Sequence, residues 1–271
     1  MTILRPIMLA LAVLTASPAA TPSLAQDALD AIADISLLPG WRSESGAHIT
    51  ALRVALAPGW KTYWRAPGEA GIPPRFDWSG SSNMKAVAFH WPVPKVHEQN
   101  GMTTFGYETL FILPIELTPE RNGEPIAVRA SVELGVCLDI CVPVSVRVDA
   151  DLGLGGQPDA RIRSAINDRP FTAAEASVAE ARCAIEPIKD GMRVKATVTM
   201  PSLGPGEVAV FEHRDQRIWI AEAVVARDGR SLTAVTEMVP PSNKPFSLNR
   251  SDLLITVFGN GQAVEIEGCT G

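Results

Sequence analysis

Glu133–Pro143 reads E-L-G-V-C-L-D-I-C-V-P, and the path of this stretch decides the fold. Ser131–Val136 before the first cysteine and Val144–Val148 after the second alternate polar and apolar residues and are rich in valine, which predicts strands. Along one continuous strand, positions i and i+4 lie about 13 Å apart, well beyond the roughly 7 Å between Cα atoms that a disulfide tolerates. A helix would bring the cysteines together, but Pro143 and the flanking strands oppose one. A bond between Cys137 and Cys141 therefore requires the chain to turn or bulge at Leu138-Asp139-Ile140. A three-residue hairpin loop usually places glycine at its left-handed position, and this one has none. The expectation is a strained, labile bridge of the kind used in catalysis or regulation.

The same alternation recurs on both sides. His48–Ala57, Pro125–Leu134 and Val142–Val148 carry it in the first half; Met192–Met200, Glu207–Phe211, Arg217–Val225 and Leu253–Phe258 carry it in the second. Between them lie the turn dipeptides Asn122-Gly123, Asp190-Gly191, Asp228-Gly229 and Asn260-Gly261. Short strands punctuated in this way predict an all-β chain of antiparallel sandwiches rather than α/β units. Gln157–Thr172 breaks the pattern with a Pro-Asp start, Ile162 and Ile166 at helical spacing, and Pro170 near its end. This predicts a short helical linker over 156–179, between β domains at 26–155 and 180–271. Five of the six tryptophans precede Pro92, so the halves are not copies in composition, and no internal repeat is evident.

Met1–Ala25 is read as a signal peptide: Arg5, then the apolar Ile7–Val13, then small residues ending in Ser23-Leu24-Ala25. No later segment approaches 18 uninterrupted apolar residues, so the mature chain is expected to be soluble, without stable membrane insertion, in the periplasm or outside the cell. Its formal net charge of −6 becomes more negative once Arg5 is removed. That argues against nucleic acid or an anionic membrane surface as the main partner. All four cysteines lie in the exported part, where disulfides persist.

Four cysteines allow three pairings. A Cys183–Cys269 bridge would close most of the second domain, and chain entropy makes such a loop worth roughly 4–5 kcal/mol, against about 2 for Cys137–Cys141. Cys183–Cys269 is thus the expected structural disulfide, a free thiol at Cys269 being the alternative. For the short pair three readings stand: an inert stabilising bridge, a metal clip and a redox switch. Zinc wants four protein ligands, and no other Cys or His is near in sequence; Cu(I) needs fewer, with Met102 or His97 as the remote options. Asp139 is either a turn residue or a group that tunes the thiol pKa. His48, His90, His97 and His213 suggest no catalytic triad, Asn249-Arg250-Ser251 is only a weak glycosylation match, and no motif asks for a metal or cofactor. The aromatics of Trp60–Trp78 are read mainly as core.

W-K-T-Y-W-R-A-P-G-E-A-G-I-P-P at 60–74, W-P-V-P at 91–94, F-G-Y at 105–107, L-P-I at 113–115 and C-L-D-I-C-V-P at 137–143 together resemble the N-terminal periplasmic domain of the DsbD thiol:disulfide interchange family, including ScsB. The second domain resembles the extra β domain of ScsB-like members. The resemblance implies immunoglobulin-like sandwiches with a redox-active cysteine pair on a turn. Cys141 would form the mixed disulfide with a substrate and Cys137 would resolve it. Phe105, with Tyr107, would belong to a cap loop over the pair, within Lys95–Tyr107. Full-length relatives add a membrane electron-transfer segment and a thioredoxin-like domain, which this sequence lacks. The expected partners are therefore a separate membrane-embedded or thioredoxin-like electron donor and exported protein substrates. The alternative is a copper-handling or protein-interaction sandwich whose short disulfide is inert.

Overall fold

The computed structural model describes residues 31–99 and 101–271; the signal-peptide reading of 1–25 falls outside them. Ten strands come first: β1 (Ala33–Arg42), β2 (His48–Leu56), β3 (Lys61–Gly68), β4 (Arg75–Asp77), β5 (Ala86–Phe89), β6 (Lys95–Gln99), β7 (Met102–Glu108), β8 (Leu110–Thr118), β9 (Ile126–Cys137) and β10 (Cys141–Leu152). They form two antiparallel sheets, ordered β1-β2-β8-β5 and β10-β9-β3-β7-β6, with β4 paired to β9. Helix α1 (Ala160–Asn167) follows. The remaining strands are β11 (Phe171–Thr172), β12 (Glu180–Pro187), β13 (Met192–Thr199), β14 (Val208–His213), β15 (Trp219–Ile220), β16 (Val224–Asp228), β17 (Ser231–Val239), β18 (Leu253–Gly259) and β19 (Gln262–Glu267). These make sheets ordered β11-β19-β18-β14 and β12-β13-β17-β15, with β16 on β17. The chain is all-β in sandwich-type layers, with one short α-helix among the described residues.

Period-two burial drives each layer. Along β9, Ile126, Val128, Ala130, Val132, Leu134 and Val136 are all buried and face the first core, which Trp64 fills from β3. A second core forms around residues such as Val194, Ala196, Leu232 and Ile255. The β18–β19 hairpin turns on Asn260-Gly261, both at positive φ (48° and 72°), with Gly259 paired to Gln262. A two-residue turn of that kind matches the twist of antiparallel strands.

Two expectations change in detail. Arg217–Val225 is not one strand but two, β15 and β16, both on β17. From Ile220 to Val224 the chain is one residue longer than from Met238 to Val235 opposite, and the surplus is absorbed as in a bulge. There the Thr236 hydroxyl donates to the Ala221 carbonyl at 2.6 Å. The predicted linker helix is also no free connector. Asp159 caps α1 by accepting from the Arg161 N–H at 2.8 Å, and Ile162, wholly buried, packs with Leu38, Ile49 and Ala51 of the first sheet.

The two pairs of sheets meet through β3. Phe258 of β18 is buried in the first core, its ring edge-on to Trp64 at 5.3 Å and 4.9 Å from Phe105. Arg65 lies over the Trp64 ring at 4.1 Å and makes ion pairs with Glu212 (2.9 Å) and Glu265 (2.5 Å). Burial opposes the guanidinium charge, but the two carboxylates outweigh it and raise its pKa.

Candidate functional site

Strands β9 and β10 form a long hairpin whose last register pair is Cys137 opposite Cys141, closed by Leu138-Asp139-Ile140. The cysteines are bonded, with Cα atoms 4.1 Å apart. None of the three loop residues adopts positive φ, and the Leu138 N–H donates to the Ile140 carbonyl at 3.3 Å. The two sulfur positions are unequal: Cys137 is 2% exposed, whereas Cys141 is only partly buried. Leu138 and Ile140 project into solvent, Ile140 at 77% exposure, and Asp139 sits exposed between them.

Register places the bridge on the outer face of its sheet. Lys61 of β3 pairs with both Cys137 and Glu108, while Thr62 pairs with Val136 and Tyr107. Because neighbouring side chains alternate between faces, Cys137, Lys61, Tyr63 and Glu108 share the outer side, and Thr62, Trp64, Val136 and Tyr107 the inner. The Tyr63 hydroxyl lies 3.4 Å from the Cys141 sulfur and is the donor there, since a disulfide sulfur carries no proton. Burial raises the Tyr63 pKa, which keeps that proton in place at neutral pH.

Pro67–Pro74 folds back over this face. A Cβ on Gly71 would lie 2.8 Å from the Tyr63 ring, and one on Gly135 would lie 2.6 Å from the Cβ of Ile72. Both glycines are therefore needed for the loop to lie flat beside the disulfide. Other residues of this loop, among them Pro67 and Pro73, line an open cleft of about 1530 Å³, whose walls include Phe76, Trp78, Phe89 and Trp219.

Phe105 and Tyr107 are not where a shield over the pair would need them. Phe105 packs against Trp64 and Phe258 on the inner face. Tyr107 is also internal: it stacks on Phe111 at 3.8 Å and donates to the Pro92 carbonyl at 2.7 Å. Alternation turns both away from the outer side, where the cysteines lie. The side chain that meets a sulfur is instead that of Tyr63, at Cys141, while Lys61 is the register partner of Cys137. Lys61 and Tyr63 were legible as one face of W-K-T-Y-W, once Trp64 is assigned inward.

Cys183 and Cys269 form the second disulfide, with Cα atoms 5.7 Å apart and a sequence separation of 86. It straps the C-terminus to β12, where the Cys183 N–H donates to the Thr270 carbonyl and the Thr270 N–H to that of Ala181. Among the described residues, no three His, Cys, Asp or Glu side chains gather as a metal-binding group would need, and no helix is long and apolar enough to cross a membrane.

Fold and site define a class: an antiparallel sandwich with a two-cysteine centre at the end of a hairpin. Residues 36–152 match the family model described as thiol:disulfide interchange protein DsbD, N-terminal. In overall fold the chain is similar to the crystal structure of the N-terminal periplasmic domain of ScsB from Proteus mirabilis. The identity is 20% and the TM-score 0.61, over 88% of this chain and 92% of that one. A protein of unknown function from Porphyromonas gingivalis W83 aligns at 13% identity over 87% and 99% of the two chains, with a TM-score of 0.20, too low for a shared fold. None of the curated proteins matches the chain.

Proposed function

We propose that this chain is a periplasmic thiol–disulfide interchange protein that relays electrons through Cys137 and Cys141 to exported substrate proteins. One observation carries the reading: the short disulfide sits at an exposed hairpin end with Cys141 only partly buried and Cys137 fully so. That asymmetry suits an attacking and a resolving cysteine. The family match over 36–152 and the fold shared with a periplasmic domain agree with it.

In the reduced protein, the Cys141 thiolate attacks one sulfur of a substrate disulfide, forming a mixed disulfide and expelling a substrate thiolate. Cys137 then attacks the Cys141 sulfur, closing the 137–141 bond and releasing the second substrate thiolate. Two electrons pass to the substrate. A separate dithiol donor, membrane-embedded or thioredoxin-like, restores the reduced pair. The Tyr63 hydroxyl hydrogen-bonds the Cys141 thiolate before attack, and the Pro67–Pro74 loop limits access to one side.

Mild reductant followed by alkylation and mass spectrometry should label Cys137 and Cys141 while Cys183 and Cys269 stay protected. A Cys137→Ala variant expressed in the exported compartment should accumulate mixed disulfides through Cys141. If no such adduct forms, the relay reading fails.

A further inference from the structure

Apolar residues flank Cys141 and continue away from it. Ile140, almost fully exposed, precedes it at the hairpin end. Two residues further along β10, on the same face, the exposed Pro143 is the register partner of Gly135. The Ile72 side chain lies on Gly135, where an added Cβ would meet it at 2.6 Å. Pro73 and Pro74, the next residues after Ile72, line the cleft of about 1530 Å³. Consecutive Cα atoms are about 3.8 Å apart, so the surface near the cysteine and the wall of the cleft belong to one turn of chain.

Aromatic side chains dominate that cleft. The Phe76 ring lies 4.5 Å from Phe89 and 6.1 Å from Trp78, and all three are only partly buried. From the second sandwich, Trp219 of β15 also lines it and is 62% exposed. The ionic groups ask for no charged ligand: Arg65 pairs with Glu212 and Arg217 with Asp215, while Glu69, Arg75 and Glu222 are exposed and of mixed sign. Exposed apolar surface gathered in this way marks a place that another molecule covers.

We propose that this surface is a binding path for an extended apolar polypeptide segment: the chain flanking a substrate cystine lies over Ile140 and Ile72 and passes into the aromatic cleft. The inference rests on the relay reading above and names its substrate class, exported proteins that have not yet buried the apolar residues around their cystines. The covalent step supplies the continuity. A sulfur bonded to Cys141 holds the residues beside it against the neighbours of Cys141, and Ile140, Pro143 and Ile72 are all uncharged. Such side chains gain by being covered with apolar groups and not with hydrated ones. Folded proteins keep apolar residues and most cysteines inside, so an accessible cystine with apolar flanks marks a chain short of its native state.

The test uses the full chain with Cys137→Ser, which leaves Cys141 as the single thiol and the Cys183–Cys269 bridge intact. Two peptides each carry one cysteine activated as its 2-pyridyl disulfide, flanked by leucine and phenylalanine in one and by serine and glutamine in the other. Attack by the Cys141 thiolate forms the Cys141–peptide disulfide and releases pyridine-2-thione, whose absorbance gives the rate. The apolar peptide should react about tenfold faster, the scale for covering one large apolar side chain. Ile140→Ser and Trp219→Ser, both at exposed positions, should each cut that preference about threefold and leave the rate of the polar peptide unchanged. Val224→Ser, at an exposed position outside the cleft, should keep the preference. Equal rates for the two peptides, a preference that either Ile140→Ser or Trp219→Ser leaves untouched, or one lost equally in Val224→Ser overturns the inference. In each of those cases Cys141 still reacts and the relay reading stands. No reaction with either peptide sinks the relay reading, and this inference falls with it.

Discussion

Phe258→Ala is the sharpest test of how the two sandwiches are joined. The residue belongs to β18, more than a hundred positions beyond the last strand of the first sandwich, yet it is 1% exposed within that sandwich's core. Truncating a buried phenylalanine costs about 3–5 kcal/mol in lost transfer energy and cavity. Here the ring also meets Trp64 edge-on at 5.3 Å and Phe105 at 4.9 Å, and such pairs add about 0.5–1.5 kcal/mol each beyond burial. The expected loss is therefore near the top of the range, about 4–5 kcal/mol, a large part of an ordinary domain's stability. Guanidinium unfolding followed by tryptophan emission reports it, because five of the six tryptophans precede Pro92. A double-mutant cycle with Phe105→Leu should return a coupling of about 1 kcal/mol. A loss below about 1.5 kcal/mol in the tryptophan transition, together with no coupling, would refute the packing argument.

Three further outcomes are expected. Tyr63→Phe removes the hydroxyl 3.4 Å from the Cys141 sulfur, and alkylation of Cys141 in a Cys137→Ser background should slow by about threefold or more at pH 7, since a hydrogen bond to a charged group is worth about 1.5–3 kcal/mol when fully formed; an unchanged rate excludes a role for the phenol. Replacing Cys183 and Cys269 by serine opens a loop spanning 86 positions and should cost about 4–5 kcal/mol on chain-entropy grounds, seen as a lower denaturant midpoint with 137–141 reactivity unaltered. Glu207, its side chain 3% exposed, pairs with Arg227 at 2.6 Å and accepts from the Leu203 N–H at 2.7 Å. Burial alone would raise its pKa, but these bonds outweigh it and leave the carboxyl below its ordinary value. Its contribution is therefore complete above about pH 4.5 and is lost as pH falls through the depressed value; Glu207→Gln should cost about 3 kcal/mol at pH 7 and flatten the acid limb of the stability curve.

The sequence made the layers legible and left their neighbours hidden. Alternation in Glu133–Pro143 and Met192–Met200 identifies strands because burial on one face imposes period two wherever a sheet covers a core. The same alternation separates Lys61 and Tyr63 from Thr62 and Trp64, but it does not say which strand lies alongside. The pairing of β3 with β9 joins positions more than 70 apart, a non-local choice made by packing. Phe105 illustrates the consequence. An aromatic near the expected cap loop was assigned to the cysteines, whereas its face is set by the register with β3 and carries it to Trp64. Arg217–Val225 failed differently: an extra residue in a strand preserves the composition of the stretch while breaking its ladder.

Strand β3 explains why these features belong to one device. Its alternate residues have divided duties: Thr62 and Trp64 point into the first core, with the Thr62 hydroxyl donating to the Gly135 carbonyl of β9 at 2.9 Å. Lys61 and Tyr63 face the disulfide on the other side. The next residue, Arg65, is held by Glu212 and Glu265 of the second sandwich while lying over Trp64. Phe258 presses the same indole from the second sandwich. In the proposed relay, a cysteine pair that presents one sulfur and withholds the other needs its neighbours fixed to fractions of an ångström, and an outer-face strand has solvent on one side to loosen it. Anchoring β3 from behind, through Trp64 and Arg65, supplies that rigidity without covering the Cys141 sulfur. The second sandwich therefore braces the strand that carries Lys61 and Tyr63 through Trp64 and Arg65.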